Sequence, residues 1–153
     1  MPFSPYSWTA GFIWLGKKGN RGFAYLDKYD PEPAPSLSEG LQGIQGEKLV
    51  QVSNSKRFKV GQRVQILWHN RQGEHGALVK SLYKDTDVKI GSRHWETPER
   101  PLVKQRTVIT KVDGNTIAIA DPLLHDINKQ LPTNIIAWSP LENIGIEDFR
   151  IEF

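Results

Sequence analysis

Residues Val103-Lys-Gln-Arg-Thr-Val-Ile-Thr-Lys-Val-Asp-Gly-Asn-Thr-Ile-Ala-Ile-Ala120 decide the fold class of this chain. Val103, Gln105, Thr107 and Ile109 share one parity, and Lys104, Arg106, Val108 and Thr110 share the other. That period of two is the mark of a strand. Asp113-Gly114-Asn115 interrupts it, and glycine supplies the positive φ that a tight hairpin turn needs. Thr116 to Ala120 is the return strand, and Asp121-Pro122-Leu123 closes it. The reading is an antiparallel hairpin over 104–112 and 116–120. Upstream, Lys48-Leu-Val-Gln-Val52 alternates in the same way. A turn from Ser53 to Phe58 and the step Val60-Gly61-Gln62 lead into a further strand over 62–68. No segment sustains a helical period, and residues 126–131 have room for one turn before Pro132. No internal repeat is visible. The expectation is an all-β chain, a small antiparallel barrel or sandwich with long loops.

The 153 residues form one β domain on a length prior and are long enough for a real core. Hydrophobic residues make up 38% and charged residues 24%, which places the chain among globular proteins rather than disordered ones. Asp30-Pro-Glu-Pro-Ala-Pro-Ser36 is an extended loop, because its three prolines donate no ladder hydrogen bonds. There is no cysteine, so disulfides and thiolate zinc sites are excluded. No apolar window is long enough to span a bilayer. Met1-Pro-Phe-Ser4 has neither the basic nor the apolar region of a signal peptide. The net charge of +3 is too small to argue for nucleic acid and is compatible with an anionic glycan. The five tryptophans are more informative, since indole is used where a large flat surface is wanted, in a core or at a binding face.

The C-terminal stretch Asn143-Ile-Gly-Ile-Glu-Asp-Phe-Arg-Ile-Glu-Phe153 reads as a turn at Asn143 and Gly145, then a strand over 146–153. Together with Pro5-Tyr-Ser-Trp-Thr-Ala-Gly-Phe12, Phe58-Lys-Val-Gly-Gln-Arg-Val64 and the run Val108–Leu123, it resembles the inserted β-domain of bacterial pectate-lyase-like right-handed β-helix proteins. Residues 143–153 are similar to the first coil of such a helix. The resemblance implies a chain that leaves one coil near Tyr6 and Trp8, builds the inserted domain, and returns at Asn143. It implies adjacent chain ends, with the strand 146–153 packed on Tyr6–Trp14; the alternative is a homodimer through that edge. It implies a secreted or periplasmic polysaccharide lyase, glycoside hydrolase or depolymerase as the parent. The coils that carry catalysis in those enzymes are missing here, so no catalytic residue carries over, and no cofactor is expected.

The densest polar and aromatic stretch is Leu67 to Arg100. Its candidates for a glycan-binding face are Trp68, His69, Arg71, Tyr83, Arg93, His94 and Trp95. Indole faces stack on the apolar face of a pyranose, and Arg, His and Asn bond its hydroxyls or pair with carboxylate and sulfate. Competing readings stand beside this one. Trp68 ends an apolar strand and suits a core equally well, and Trp8, Trp14 and Trp138 read as core. His69, His75 and His94 lack a metal-site spacing. Asp85-x-Asp87 lacks the glycine and terminal glutamate of an EF-hand loop. Tyr83, Arg93 and His94 offer a lyase base, but nothing pins them together. Glu74, Asp85, Asp87 and Glu96 weaken a nucleic-acid reading. The expected function is a non-catalytic carbohydrate-binding module for an acidic or sulfated glycan. Its alternative is a structural insertion or cap without a ligand.

Overall fold

The computed structural model describes residues 35–71, 76–84, 101–140, 142, 143, 145 and 147. The chain divides into two compact units, one of Ala34–Ser139 and one of Met1–Pro33 with Pro140–Phe153. The first unit is a closed antiparallel barrel. Its described elements are the strands β1 (Ser36–Gly43), β2 (Leu49–Val52), β3 (Arg63–His69), β4 (Pro101–Asp113), β5 (Thr116–Ile119) and β6 (Thr133–Ala137), the α-helix α1 (Ala77–Tyr83) and a 3-10 turn at Ser55–Arg57. Around the ring the order is β1-β2-β5-β4-β3-β6, and β6 closes on β1. The second unit lies almost wholly outside the described residues, and with it the expected strand 146–153 and its packing on Tyr6–Trp14. Of that unit, Asn143 has a φ of 57°, the left-handed conformation that suits the turn read there.

The alternation read from sequence becomes the wall of the barrel. Val64, Ile66 and Trp68 of β3 point inward with Val50 and Val52 of β2, Ile109 of β4, Ile117 and Ile119 of β5 and Ile135 of β6. Each such aliphatic side chain contributes about 1.5–3 kcal/mol when removed from water. Phe58 from the β2–β3 connection and Leu78 from α1 join the same core. The β4–β5 hairpin turns at Gly114 and Asn115 between the partners Asp113 and Thr116. Gly114 has a φ of +55°, the conformation a tight hairpin wants at its first central position.

The strands β1 and β6 are additions to the sequence reading, as is α1. β1 carries only two apolar residues, Leu37 and Leu41, and is held by pairing on both sides. α1 has seven residues, too short for its period to stand out, and buries Leu78 and Val79.

The long β5–β6 connection fills the end of the barrel where β3 and β5 finish. Leu123, Ile127 and Leu131 from it enter the core. Gly43 and Ile127 exchange backbone hydrogen bonds of 3.0 and 2.9 Å. A Cβ at residue 43 would stand 2.6 Å from Leu123 Cδ1, so glycine is what lets the plug approach β1. The plug is latched at its centre. Trp68 Nε1 donates to Asp126 O at 3.0 Å, and Asp126 Oδ1 accepts from Gln45 N–H at 2.7 Å. His125 sits edge-on to the Trp68 ring, with centroids 5.9 Å apart.

Burial lowers the His125 pKa below its ordinary value of 6.5, against the opposing pull of the Asp126 carboxylate. The unfolded chain therefore binds the proton first, and His125 draws stability out of the fold as pH falls below about 6.5 and through the lowered folded pKa. Urea midpoints at pH 7.5 and 5 should differ less in His125→Gln than in the parent. Equal differences in the two proteins would remove His125 from the acid response.

Candidate functional site

Three elements meet beside the plugged end to make a polar groove of about 450 Å³. β3 brings His69 at its last position, and Arg71 follows two residues on. His69 N–H donates to Pro132 O at 3.0 Å, which ties the end of β3 to the chain entering β6. β6 brings Asn134, and β1 brings Glu39, its direct cross-strand partner. The turn before β6 supplies Asn128 and Lys129. Asn128 Oδ1 accepts from Gln130 N–H at 2.9 Å and Leu131 N–H at 3.0 Å, which fixes the turn and holds Lys129 at its exposed tip. Leu41, 51% exposed, gives the groove an apolar wall.

This arrangement sets two cations, two amides and a carboxylate around one groove. Arg71 offers planar, bidentate donors and Lys129 a compact positive charge. Asn134 and Asn128 offer amide donors, and Glu39 accepts from hydroxyls. Among the described residues no group of three or more His, Asp or Glu side chains gathers to hold a metal.

Two of the residues read from sequence, His69 and Arg71, share this groove. Trp68 is in the core instead. It is fully buried, its N–H is spent on Asp126, and its ring packs against His125, so it presents no face to a ligand. Its parity with Val64 and Ile66 already placed it on the inner face. Tyr83 is exposed at the end of α1 and does not line the groove. Arg93, His94 and Trp95 lie outside the described residues, as do His75 and the pair Asp85 and Asp87. Trp138, read as core, is half-buried, and the Arg106 guanidinium lies 4.9 Å from its ring centre. The sequence reading missed Lys129, Asn128, Asn134 and Glu39. They are far from Arg71 in sequence, and only the closure of β6 on β1 and β3 brings them to it.

Comparison with protein families, with curated proteins and with solved structures finds no match.

The burial of Trp68 and the exposure of Arg71 give opposite expectations for two neighbouring substitutions. Trp68→Ala should cost about 3–5 kcal/mol in urea unfolding, as removal of a buried aromatic does. Arg71→Ala should stay within about 0.5 kcal/mol of the parent, as exposed substitutions do. A tolerated Trp68→Ala would mean that the plug is not held as described.

Proposed function

We propose that this chain is a non-catalytic carbohydrate-binding module of a polysaccharide-degrading β-helix protein. In this reading the groove of His69, Arg71 and Lys129 takes an acidic or sulfated glycan. The observation that carries it is the convergence of Arg71 and Lys129, from separate elements, on one groove with Asn128, Asn134 and Glu39. A uronate carboxylate or a sulfate pairs with the two cations, and ring hydroxyls bond to the amides and to Glu39.

The barrel's connections suit an inserted domain. Ser36 and Ile136 are cross-strand partners, so the chain leaves and returns at neighbouring points. Those points lie at one end of the barrel, and the groove lies towards the other, beside the plug. The alternative is a structural insertion with no ligand, and the burial of Trp68 favours it, because one of the two indoles expected for stacking is in the core.

Titration of the protein with oligogalacturonides, sulfated oligosaccharides and neutral xylo-oligosaccharides separates these readings. The module reading expects binding of an anionic series, weakened by Arg71→Ala and Lys129→Ala, and weakened in the parent as salt shortens the Debye length from about 10 Å at 0.1 M to 3 Å at 1 M. Binding of the neutral series alone, with a flat salt response, would remove the acidic ligand. No binding in any series would leave the structural insertion.

A further inference from the structure

The barrel closes as a ring, but among the described residues its wall is not paired along its full height. β4 has thirteen residues and β5 only four. β5 pairs with β4 from Asp113 to Ile109, and Ala120 N–H then donates to Val108 O at 2.9 Å. Beyond that point the chain turns under the barrel as the plug.

The alternation of an antiparallel ladder fixes which backbone groups face which neighbour. Ile109 N–H donates to Gln62 O, and its carbonyl accepts from Gly61 N–H, so Ile109 faces the β3 side. Pairing of β3 with β4 is regular from Arg63↔Val108 to Trp68↔Val103. Thr107, Gln105 and Val103 therefore turn their backbone groups to β3. Arg106 and Lys104 turn theirs the other way, where β5 has ended. The far side of β3 agrees: Trp138 N–H bonds to Arg63 O and His69 N–H to Pro132 O, so these β3 residues face β6. Among the described residues nothing pairs with the N–H and C=O groups of Lys104 and Arg106 on this side, and they form a short edge with a repeat of about 6.8 Å.

The side chain of Gln105 keeps this gap open. Its Nε2 donates to Pro122 O at 2.8 Å, and its Oε1 accepts from Leu124 N–H at 2.9 Å. The plug is thereby held a side chain's length from β4. A groove of about 600 Å³ lies there, with Lys104 and Arg106 on one side and Asp121, Pro122 and Leu124 on the other.

We propose that this edge accepts an extended acidic segment of a partner protein as an added strand. Main-chain hydrogen bonds to Lys104 and Arg106 would give affinity, and alternate side chains would give specificity. Both side chains are exposed on the outer face of β4, and Arg106 is steadied over Trp138. The acid on the facing wall, Asp121, accepts the Thr107 hydroxyl at 2.9 Å. Charged residues on a free edge disfavour pairing with a second copy of the same edge, since Lys and Arg would meet Lys and Arg. A strand with Glu or Asp at alternate positions brings a carboxylate to each cation. A polysaccharide has no alternating N–H and C=O groups to match the edge, so this surface is distinct from the glycan groove.

The test uses two blocked hexapeptides, Glu-Val-Glu-Val-Glu-Val and Lys-Val-Lys-Val-Lys-Val, with amide NMR and hydrogen exchange on the full chain. In the free protein the amides of Lys104 and Arg106 should exchange at least about 100-fold faster than those of Gln105 and Thr107. The acidic peptide should shift and protect them, and the basic peptide should not. Lys104→Pro removes a donor that the barrel does not use and should abolish the protection, as proline is tolerated on edges. Lys104→Glu with Arg106→Glu should reverse the preference to the basic peptide, which covers the case of a proline variant that does not fold. Amides of 104 and 106 already protected in the free protein would overturn the proposal. So would equal binding of both peptides, binding of neither, or a concentration-dependent dimer through this edge.

Discussion

A buried indole must place its N–H, and the bond from Trp68 to the Asp126 carbonyl organises the plugged end of this barrel. Leaving such a donor unmet costs about 1–3 kcal/mol. The bond fixes the middle of the β5–β6 connection, and Asp126 in turn captures Gln45 N–H from the β1–β2 turn. With the centre held, Leu123 and Ile127 fall into the space left by Gly43 and Gly40 of β1. β6 is then delivered between β1 and β3, which closes the ring. The groove and the free edge both follow from this. The connection ends in the turn that carries Lys129, and its early part gives β4 no described partner at Lys104 and Arg106 on the side away from β3.

The parts of the fold that were legible in the sequence are those where local pattern and tertiary placement agree. β2 and β5 alternate, β3 and β4 alternate over most of their length, and Gly114 marks the hairpin. β1 was not legible, because Ser36-Leu-Ser-Glu-Gly-Leu-Gln-Gly43 has low strand propensity and two glycines. It is a strand because β2 and β6 offer it ladders, and Gly40 and Gly43 are there for the plug. β6 is a five-residue strand just after Pro132, too short for a period. The plug itself reads as turn and loop, and its three core residues, Leu123, Ile127 and Leu131, recur at every fourth position without forming a helix.

The candidate site divides along the same line. His69 and Arg71 were found by residue type, since they sit in a polar stretch after an apolar strand. Trp68 suits a surface or a core by residue type, and its parity with Val64 and Ile66 is what places it in the core. Glu39, Asn128, Lys129 and Asn134 had no sequence signal, as their proximity to Arg71 is created by long-range pairing of β6. The free edge at Lys104 and Arg106 was equally invisible, since it depends on where β5 ends and not on what β4 contains. The glycan reading rests on the groove and the partner reading on the edge, and the two surfaces use different chemistry: side-chain donors in one, backbone groups in the other.

Closure of β6 on β1 is the consequence of the plug on which the groove and the neighbouring points of departure and return both rest. Hydrogen exchange of the full chain, read by mass spectrometry on peptides covering β1, β3 and β6, tests it most directly. The account predicts that amides of Thr133–Ala137 and of their β1 partners exchange as slowly as those of β3, through one cooperative opening, and that they lose protection together in mild denaturant. Exchange of β1 and β6 on a separate, faster timescale, with β3 still protected, would contradict it.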